Sequence, residues 1–496
     1  MRLWKLLIPV GIVSLLIFIA ISFHRFIDPD EGFYLLASRL VYQHKLPYVD
    51  FFYTQAPLLP YVYGLWLHIG GESWLWARSL SAGLTAALAT LVYFQVCSCT
   101  RKWALGMLAV CLFAANSQVF AWMPITKTYA LSSVLLFSSY VAASRFSSRS
   151  SKFAFALAAL LFGLSVEVRA YFIAVLPIFL LAIFRNSAIR EKKTAICYFA
   201  AGFALAMLPS LYFFSLNPAL FSFDNLGYHS IRSSDGLIGN FGQKLAVFLG
   251  AAILPSPGDG PQLGLLCLAG LIAALKTRAT TSWPVALQIA AVLALVSLLP
   301  TPVYLQYFCV VVPFLVTGTI CAIHDLLRFA DLKRTRTLTF AGLPLLAIYL
   351  AAPVNEFRSF VLTGTGFGVP GEGPANWNPK TVLAVSKTVD RLAAPGEEVM
   401  SFWPGYLFGT KAAPFPGFES DSGLACAARL TGAQRTRYHI VSRPQVEADI
   451  AAHIPRIVVL GNQEYWHDAK QPYVEALLRS GYHRVRLIED TSIYTL

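Results

Sequence analysis

Charged side chains are scarce in this chain, making up 13% of its 496 residues, whereas hydrophobic residues make up 56%. Soluble globular domains carry about 25% charged residues, because their surfaces must be hydrated. The scarcity excludes an ordinary soluble protein, a disordered chain and a coiled coil. The composition therefore predicts a mostly α-helical, polytopic membrane protein.

Motifs that carry cofactor chemistry are also missing. None of the eight cysteines forms a CxxC pair, and no histidine and carboxylate cluster has metal-ligand spacing. No GxGxxG motif follows the apolar run at residues 456–460, so a nucleotide is not implied. We therefore predict no cofactor, and a divalent metal is not indicated.

Long apolar segments dominate the first 353 residues and predict about eleven transmembrane helices. The first, residues 6–23, follows a short basic stretch, and we expect it to be an uncleaved span rather than a signal peptide. The others lie near residues 75–97, 103–122, 128–144, 153–168, 170–185, 195–214, 258–275, 284–299, 308–323 and 337–353.

The basic excess belongs to this membrane part. Residues 1–353 hold 25 Lys and Arg against 12 Asp and Glu, whereas residues 354–496 hold 14 of each. The basic residues concentrate in alternate loops, which predicts a cytoplasmic N-terminus. Residues 24–74, residues 215–243 and the C-terminal tail, residues 354–496, are then on the outer face. We expect a bacterial inner membrane protein without a nucleic-acid partner.

The tail predicts a small α/β domain on the outer, periplasmic side, so we divide the chain into residues 1–353 and 354–496. Apolar runs predict strands at residues 399–403, 438–442, 456–460 and 482–488. Amphipathic patterns predict helices at residues 381–392, 444–453 and 472–479.

The first outer loop, residues 24–74, concentrates carboxylates: Asp28, Asp30, Glu31 and Asp50. Asp28 suits an N-cap, and Glu31 stands at the capping-box position three residues later, so both predict the start of a helix over residues 29–44. Capping does not explain Asp30, which makes it the candidate functional acid.

These residues resemble the signature of the GT-C glycosyltransferases, the polyprenyl-phosphate-sugar-dependent enzymes of the protein O-mannosyltransferase and lipid A aminoarabinose transferase type. The resemblance starts with Asp30-Glu31 just after the first span. It extends to residues 46–52, 57–58, 77–80, 163–169, 306–308 and 313. One departure is Gln55, which stands where relatives of the aminoarabinose type carry a lysine before two prolines.

The resemblance implies a GT-C-like fold and transfer of a sugar from a polyprenyl-phosphate carrier to an acceptor hydroxyl on the outer face. The acceptor can be a lipid, a glycan or a protein. Such a transfer needs a base at the acceptor and cations at the departing phosphate. We assign the base to Asp30, with Glu31 as second choice, and expect Asp50 and Gln55 to contact substrate.

Cations at the predicted outer ends of spans are candidates for phosphate binding. Arg169 interrupts two apolar runs, where an ionisable group indicates function by default. The alternative for Arg169 is a tight loop in which Glu167 neutralises it. For Lys127 the alternative is snorkelling to lipid headgroups.

Three further residues complete the predicted substrate site. Arg78, one turn into the second span, can bind phosphate or pair with Glu72. Gln306 and Tyr307 lie at another outer boundary, where an aromatic belt explains the tyrosine but not the glutamine.

Two other function classes stay open: a lipid or glycan transporter or flippase, and a non-catalytic membrane scaffold. Transporters often show internal repeats, and this sequence has none.

Overall fold

The computed structural model describes residues 5–146, 152–232, 236–252, 261–365, 374–420, 422–461 and 469–496. The described chain is mostly helical and contains a five-stranded sheet, which confirms the predicted predominance of helix. It folds into two compact units. The first comprises Met1–Arg25, Arg78–Pro209 and Asp235–Gly368, and the second comprises Phe26–Ala77, Ser210–Ser234 and Val369–Leu496.

The first unit is built from apolar helices. Their bounds are Leu7–His24, Trp74–Thr100 (from Arg78 onward), Trp103–Ala114, Ser117–Trp122, Thr128–Ala143, Lys152–Val166, Ala170–Val175 (3-10), Leu176–Arg185, Lys192–Ala206, Gly236–Ala252, Gln262–Lys276, Trp283–Val296, Leu305–Val311 (3-10), Val312–Arg328, Leu332–Ala351 and Val354–Thr363.

Four helices in the described residues are long and apolar enough to cross a membrane. They are Leu7–His24, Trp74–Thr100, Leu305–Arg328 and Gly342–Thr363. A fifth results if Lys192–Ala206 and Leu208–Leu216 form one broken span, and further apolar helices are only 10–17 residues long. The count of eleven spans is therefore not confirmed and stays a prediction.

Two predicted spans differ in detail from the observed helices. The segment predicted at 103–122 breaks after Ala114, because Asn116 caps a new helix by accepting a hydrogen bond from the Gln118 N–H at 3.1 Å. Of the segment predicted at 258–275, residues 258–260 lie outside the described residues, and its helix is Gln262–Lys276.

Small residues let helices of the first unit approach closely, as in other membrane proteins. The helices Lys152–Val166 and Lys192–Ala206 meet at Gly163 and Gly202. A Cβ atom on Gly202 would lie 2.1 Å from the Ala156 carbonyl oxygen. A larger residue at Gly202 would therefore force the two helices apart.

The second unit combines Phe26–Ala77, Ser210–Ser234 and Val369–Leu496. Its helices are Pro29–Tyr42, Leu58–Gly70, Pro218–Ser222, Phe223–Gly227 (π), Tyr228–Ile231, Pro374–Trp377 (3-10), Pro379–Leu392, Pro404–Leu407 (3-10), Ser422–Ala427, Gly432–Arg437, Arg443–Ala451 and Gln471–Arg479.

The sheet of this unit has five strands in the order β2-β1-β3-β5-β4. They are β1 (Glu398–Ser401), β2 (Ala413–Pro414), β3 (Ile457–Leu460), β4 (His483–Ile488) and β5 (Thr491–Thr495). Strand β1 pairs in parallel with β2 and β3, whereas β5 runs antiparallel to β3 and β4.

The strand predicted at residues 438–442 is wrong. This segment leaves the helix Gly432–Arg437 through His439, whose φ of 54° breaks an extended path. Its apolar residue Ile440 is buried in a core cluster with Phe52 rather than in the sheet. Strands β2 and β5 are not predicted from the sequence, because β2 has only two residues and β5 has only two apolar residues, Ile493 and Tyr494.

Candidate active site

The helix Pro29–Tyr42 begins with a capping box. The Asp28 carboxylate accepts a hydrogen bond from the Asp30 N–H at 3.0 Å, and the Glu31 carboxylate accepts one from the Asp28 N–H at 2.9 Å. Pro29 occupies the first helical position, where its missing N–H costs nothing. The predicted cap is therefore present in the structure.

The three acids of this turn differ in their surroundings. Asp28 and Glu31 are buried and close the box, whereas Asp30 is half-buried and its carboxylate is not a member of the box. Asp30 lies in the first turn, where the unsatisfied N–H groups favour a negative charge. Of the two predicted catalytic acids, Asp30 thus has the more accessible carboxylate.

The start of this helix packs against the segment of the tail that follows β1. The Trp403 Nε1 donates a hydrogen bond to the Pro29 carbonyl at 2.9 Å, and Trp403 is fully buried. A Cβ atom on Gly32 would lie 2.7 Å from the Gly405 Cα and 2.8 Å from the Trp403 ring. The tail therefore fixes the turn that carries Asp30.

A buried arginine holds the same helix further along. The Arg39 guanidinium donates to the carbonyls of Leu407 and Ala412 at 2.8 and 2.7 Å, and its Nε lies 3.6 Å from the Glu72 carboxylate. Burial lowers the pKa of Arg39, and Glu72 opposes that shift. Arg39 is thus a second link between the helix and the tail.

The other predicted residues of the first loop lie away from this turn. Asp50 is exposed, and its carboxylate accepts a hydrogen bond from the Leu46 N–H at 2.7 Å, which closes the turn after the helix. A 14-residue helix is about 21 Å long, so Asp50 lies beyond the end opposite Asp30. Gln55 is half-buried, and its backbone carbonyl accepts a hydrogen bond from the Tyr48 hydroxyl at 2.6 Å.

Asp224 is a buried acid of the second unit for which the sequence predicts no role. The Asp224 carboxylate accepts a hydrogen bond from the Tyr53 N–H at 3.0 Å, and its other oxygen has no hydrogen-bond partner among the described residues. Burial raises the pKa of Asp224 well above its usual range, which favours the neutral acid. In the sequence, the neighbouring aromatic residues Phe221 and Phe223 are the feature that indicates a buried position for Asp224.

The first unit contains two buried cations around one tyrosine. The Arg169 guanidinium lies 4.6 Å from the Tyr129 ring centre, and the Lys127 Nζ lies 6.0 Å from it. The guanidinium also faces the rings of Tyr171 and Tyr307 at 4.7 and 5.7 Å. Both residues are buried: Arg169 is 6% exposed and Lys127 is 2% exposed.

Hydrogen bonds fix these cations. Arg169 donates to the Thr128 hydroxyl and, at 2.8 Å, to the Tyr171 hydroxyl. Lys127 donates to the Gln306 side-chain oxygen. The structure therefore brings together four of the predicted substrate-site residues: Lys127, Arg169, Gln306 and Tyr307.

Arg78 has a different environment within the first unit. Its Nη1 donates to the carbonyls of Ser22 and Arg25, both at 2.7 Å, at the end of the helix Leu7–His24. A cation there satisfies orphan carbonyls and complements the negative end of the helix. The contacts favour a role for Arg78 in holding the first helix.

No protein-family model and no curated protein sequence match the chain. Its structure is similar to that of ArnT from Cupriavidus metallidurans bound to undecaprenyl phosphate, with a TM-score of 0.65 and 12% identity over 98% of this chain and 97% of that chain. The apo form of that protein gives a TM-score of 0.62 and 14% identity, over 99% of this chain and 97% of that chain. The chain therefore shares the overall fold of these ArnT structures, which is the kind of fold that the sequence resemblance predicts.

Proposed function

We propose that the chain is a membrane glycosyltransferase that moves a sugar from a polyprenyl-phosphate carrier to an acceptor hydroxyl on the outer face of a bacterial inner membrane. The observation that carries the proposal is the acid turn, where Asp28 and Glu31 form the capping box and the Asp30 carboxylate is left outside it. The fold shared with an ArnT bound to undecaprenyl phosphate supports the choice of carrier.

Asp30 is the proposed base. The acceptor hydroxyl gives its proton to the Asp30 carboxylate, and its oxygen attacks the anomeric carbon of the donor sugar. The bond from that carbon to the phosphate oxygen breaks, and polyprenyl phosphate leaves with the electron pair. A direct displacement of this kind needs one base, unlike the two-carboxylate chemistry of retaining hydrolases.

Lys127 and Arg169 are the proposed phosphate ligands. Their positive charges lie within 6.0 Å of one tyrosine ring, and charge-assisted hydrogen bonds from lysine and arginine suit the oxygens of a phosphate. Lys127 also precedes the helix Thr128–Ala143, whose first N–H groups favour a phosphate. A lysine has no acceptor atom and cannot cap that helix with its side chain.

Gln306 and Tyr307 orient this cationic pair. Gln306 accepts from Lys127, and the Tyr307 ring faces Arg169. Gln55, which replaces a lysine of the aminoarabinose-type relatives, supplies no charge, so Lys127 and Arg169 carry the phosphate alone in this proposal. A transporter or flippase remains the second class, since it too would bind the carrier but would transfer no sugar.

The test replaces Arg169 with Gln and, as a control, Arg185 with Gln at a predicted cytoplasmic boundary. Polyprenyl-phosphate sugars and surface glycans of the wild-type, deletion and variant strains are measured by mass spectrometry. We expect one sugar to disappear from a glycan in the deletion and Arg169→Gln strains, while the carrier-linked sugar persists. Loss of the sugar in the Arg185→Gln strain as well, or full transfer with Arg169→Gln, contradicts the phosphate assignment.

A further inference from the structure

A cavity of about 610 Å³ lies within the second unit. It opens beside Gln43 and Lys45, which follow the helix Pro29–Tyr42, and beside the sheet edge at Glu398 and Ala413. Its volume is in the range of roughly 300–1,000 Å³ that small-ligand sites occupy. Asp50, predicted from the sequence to contact substrate, lines this cavity rather than the turn of Asp30.

Three carboxylates line the cavity: Asp50, Glu398 and Glu419. Glu419 accepts a hydrogen bond from the Gly417 N–H at 2.8 Å. Burial, together with the neighbouring Glu398, raises the pKa of Glu419 to about 7, while Lys45 opposes the shift. Carboxylate oxygens accept hydrogen bonds from hydroxyl groups strongly, so the cavity suits a ligand rich in hydroxyl donors.

Apolar groups form another part of the lining. Phe51 and Ile440 are buried, at 1% and 4% exposure, and contribute to the wall together with Pro414 and Pro416. The lining is not basic, because its three carboxylates outnumber Lys45 and Arg435. The lining therefore combines acceptors for hydroxyl groups with a surface for an apolar ring face.

We propose that this cavity binds a sugar residue of the acceptor, with its hydroxyls on Glu398, Glu419 and Asp50 and its apolar ring face on the Phe51 and Ile440 wall. The proposal rests on the proposed glycosyl transfer. The helix Pro29–Tyr42 places the cavity about 20 Å from Asp30, so the bound residue is remote from the attacking hydroxyl. Binding of such a remote part supplies energy for orienting the reacting part.

The test uses the purified full chain in detergent and three free disaccharides as probes: cellobiose, chitobiose and lactose. Saturation-transfer NMR measures their binding to the wild type, to the double variant Glu398→Gln and Glu419→Gln, and to Thr436→Trp. Thr436 is an exposed residue of the cavity rim, so a tryptophan there fills the cavity without disturbing the core. Glu447→Gln, an exposed carboxylate outside the cavity, is the matched control.

We expect at least one disaccharide to bind the wild type and the control, and to bind both cavity variants about tenfold more weakly. The double variant loses charged hydrogen bonds, and Thr436→Trp fills the cavity. Binding that is equal in wild type and Thr436→Trp, or absent from the wild type for all three probes, overturns the proposal.

The variant Asp30→Asn separates this proposal from the transferase reaction. It leaves the cavity intact, so disaccharide binding must persist while transfer in membranes stops. If transfer persists in Asp30→Asn while the cavity variants lose disaccharide binding, the assignment of the base fails and the cavity proposal stands.

Discussion

The contact between Gly32 and the tail gives a direct test of how Asp30 is positioned. In Gly32→Ala, the new Cβ atom would lie 2.7 Å from the Gly405 backbone, whereas ordinary contacts begin at 3.4 Å, so the helix start must move by about 0.7 Å. Overpacking of this kind costs about 1–3 kcal/mol of folding stability. A displacement near 1 Å at a reacting group lowers a rate by about 100-fold.

We therefore expect the initial rate of sugar transfer in isolated membranes to fall at least about tenfold per folded molecule in Gly32→Ala. The matched control is Gly83→Ala, because nothing lies within 4 Å of a Cβ atom placed there. Alanine at Gly83, inside a helix, is expected to leave the rate unchanged and to raise stability by about 0.5–1 kcal/mol.

A second variant separates an effect on the position of Asp30 from an effect on folding stability. Trp403→Phe keeps a ring in the buried site but removes the hydrogen bond to the Pro29 carbonyl. It is expected to slow transfer with a smaller loss of stability than Gly32→Ala. If both variants fold and transfer sugar at the wild-type rate, the tail does not position the base, and the reasoning is refuted.

Two further predictions concern buried polar contacts. The raised pKa of Asp224 means that the folded state holds a proton that the unfolded state releases, so its contribution to stability is full below about pH 4 and is lost as the pH rises through the folded-state pKa. Asp224→Asn should remove this dependence, so its melting temperature should exceed that of the wild type at pH 8 but not at pH 4; the same pH profile for both proteins would contradict this. Arg78→Gln should lower the unfolding free energy by about 3 kcal/mol, because two carbonyls lose a charged donor. An unchanged melting temperature with lost transfer would instead return Arg78 to the phosphate site.

Local sequence signals predicted the acid turn well. Asp28, Pro29 and Glu31 act within four residues, and the observed capping box follows from their own chemistry. The clustering of Lys127 with Arg169 and Gln306 was only partly predictable. Each residue lies at a predicted outer boundary, but their meeting around Tyr129 depends on how separate helices pack.

Contacts between residues that are far apart in the sequence could not be predicted. Trp403 lies 374 residues from Pro29, and no local pattern links them. The same holds for Asp50. It is close to Asp30 in sequence, but the helix between them separates their carboxylates.

The central claim is that Asp30 is the base for sugar transfer. The measurement is mass spectrometry of surface glycans and polyprenyl-phosphate sugars in strains that express Asp30→Asn or Asp28→Asn at the wild-type level. Asparagine is a good N-cap, so Asp28→Asn preserves the helix start and controls for loss of a neighbouring charge. We predict that Asp30→Asn removes one sugar from a glycan while its carrier-linked form persists, and that Asp28→Asn keeps the glycan complete. A complete glycan in the Asp30→Asn strain would contradict the claim.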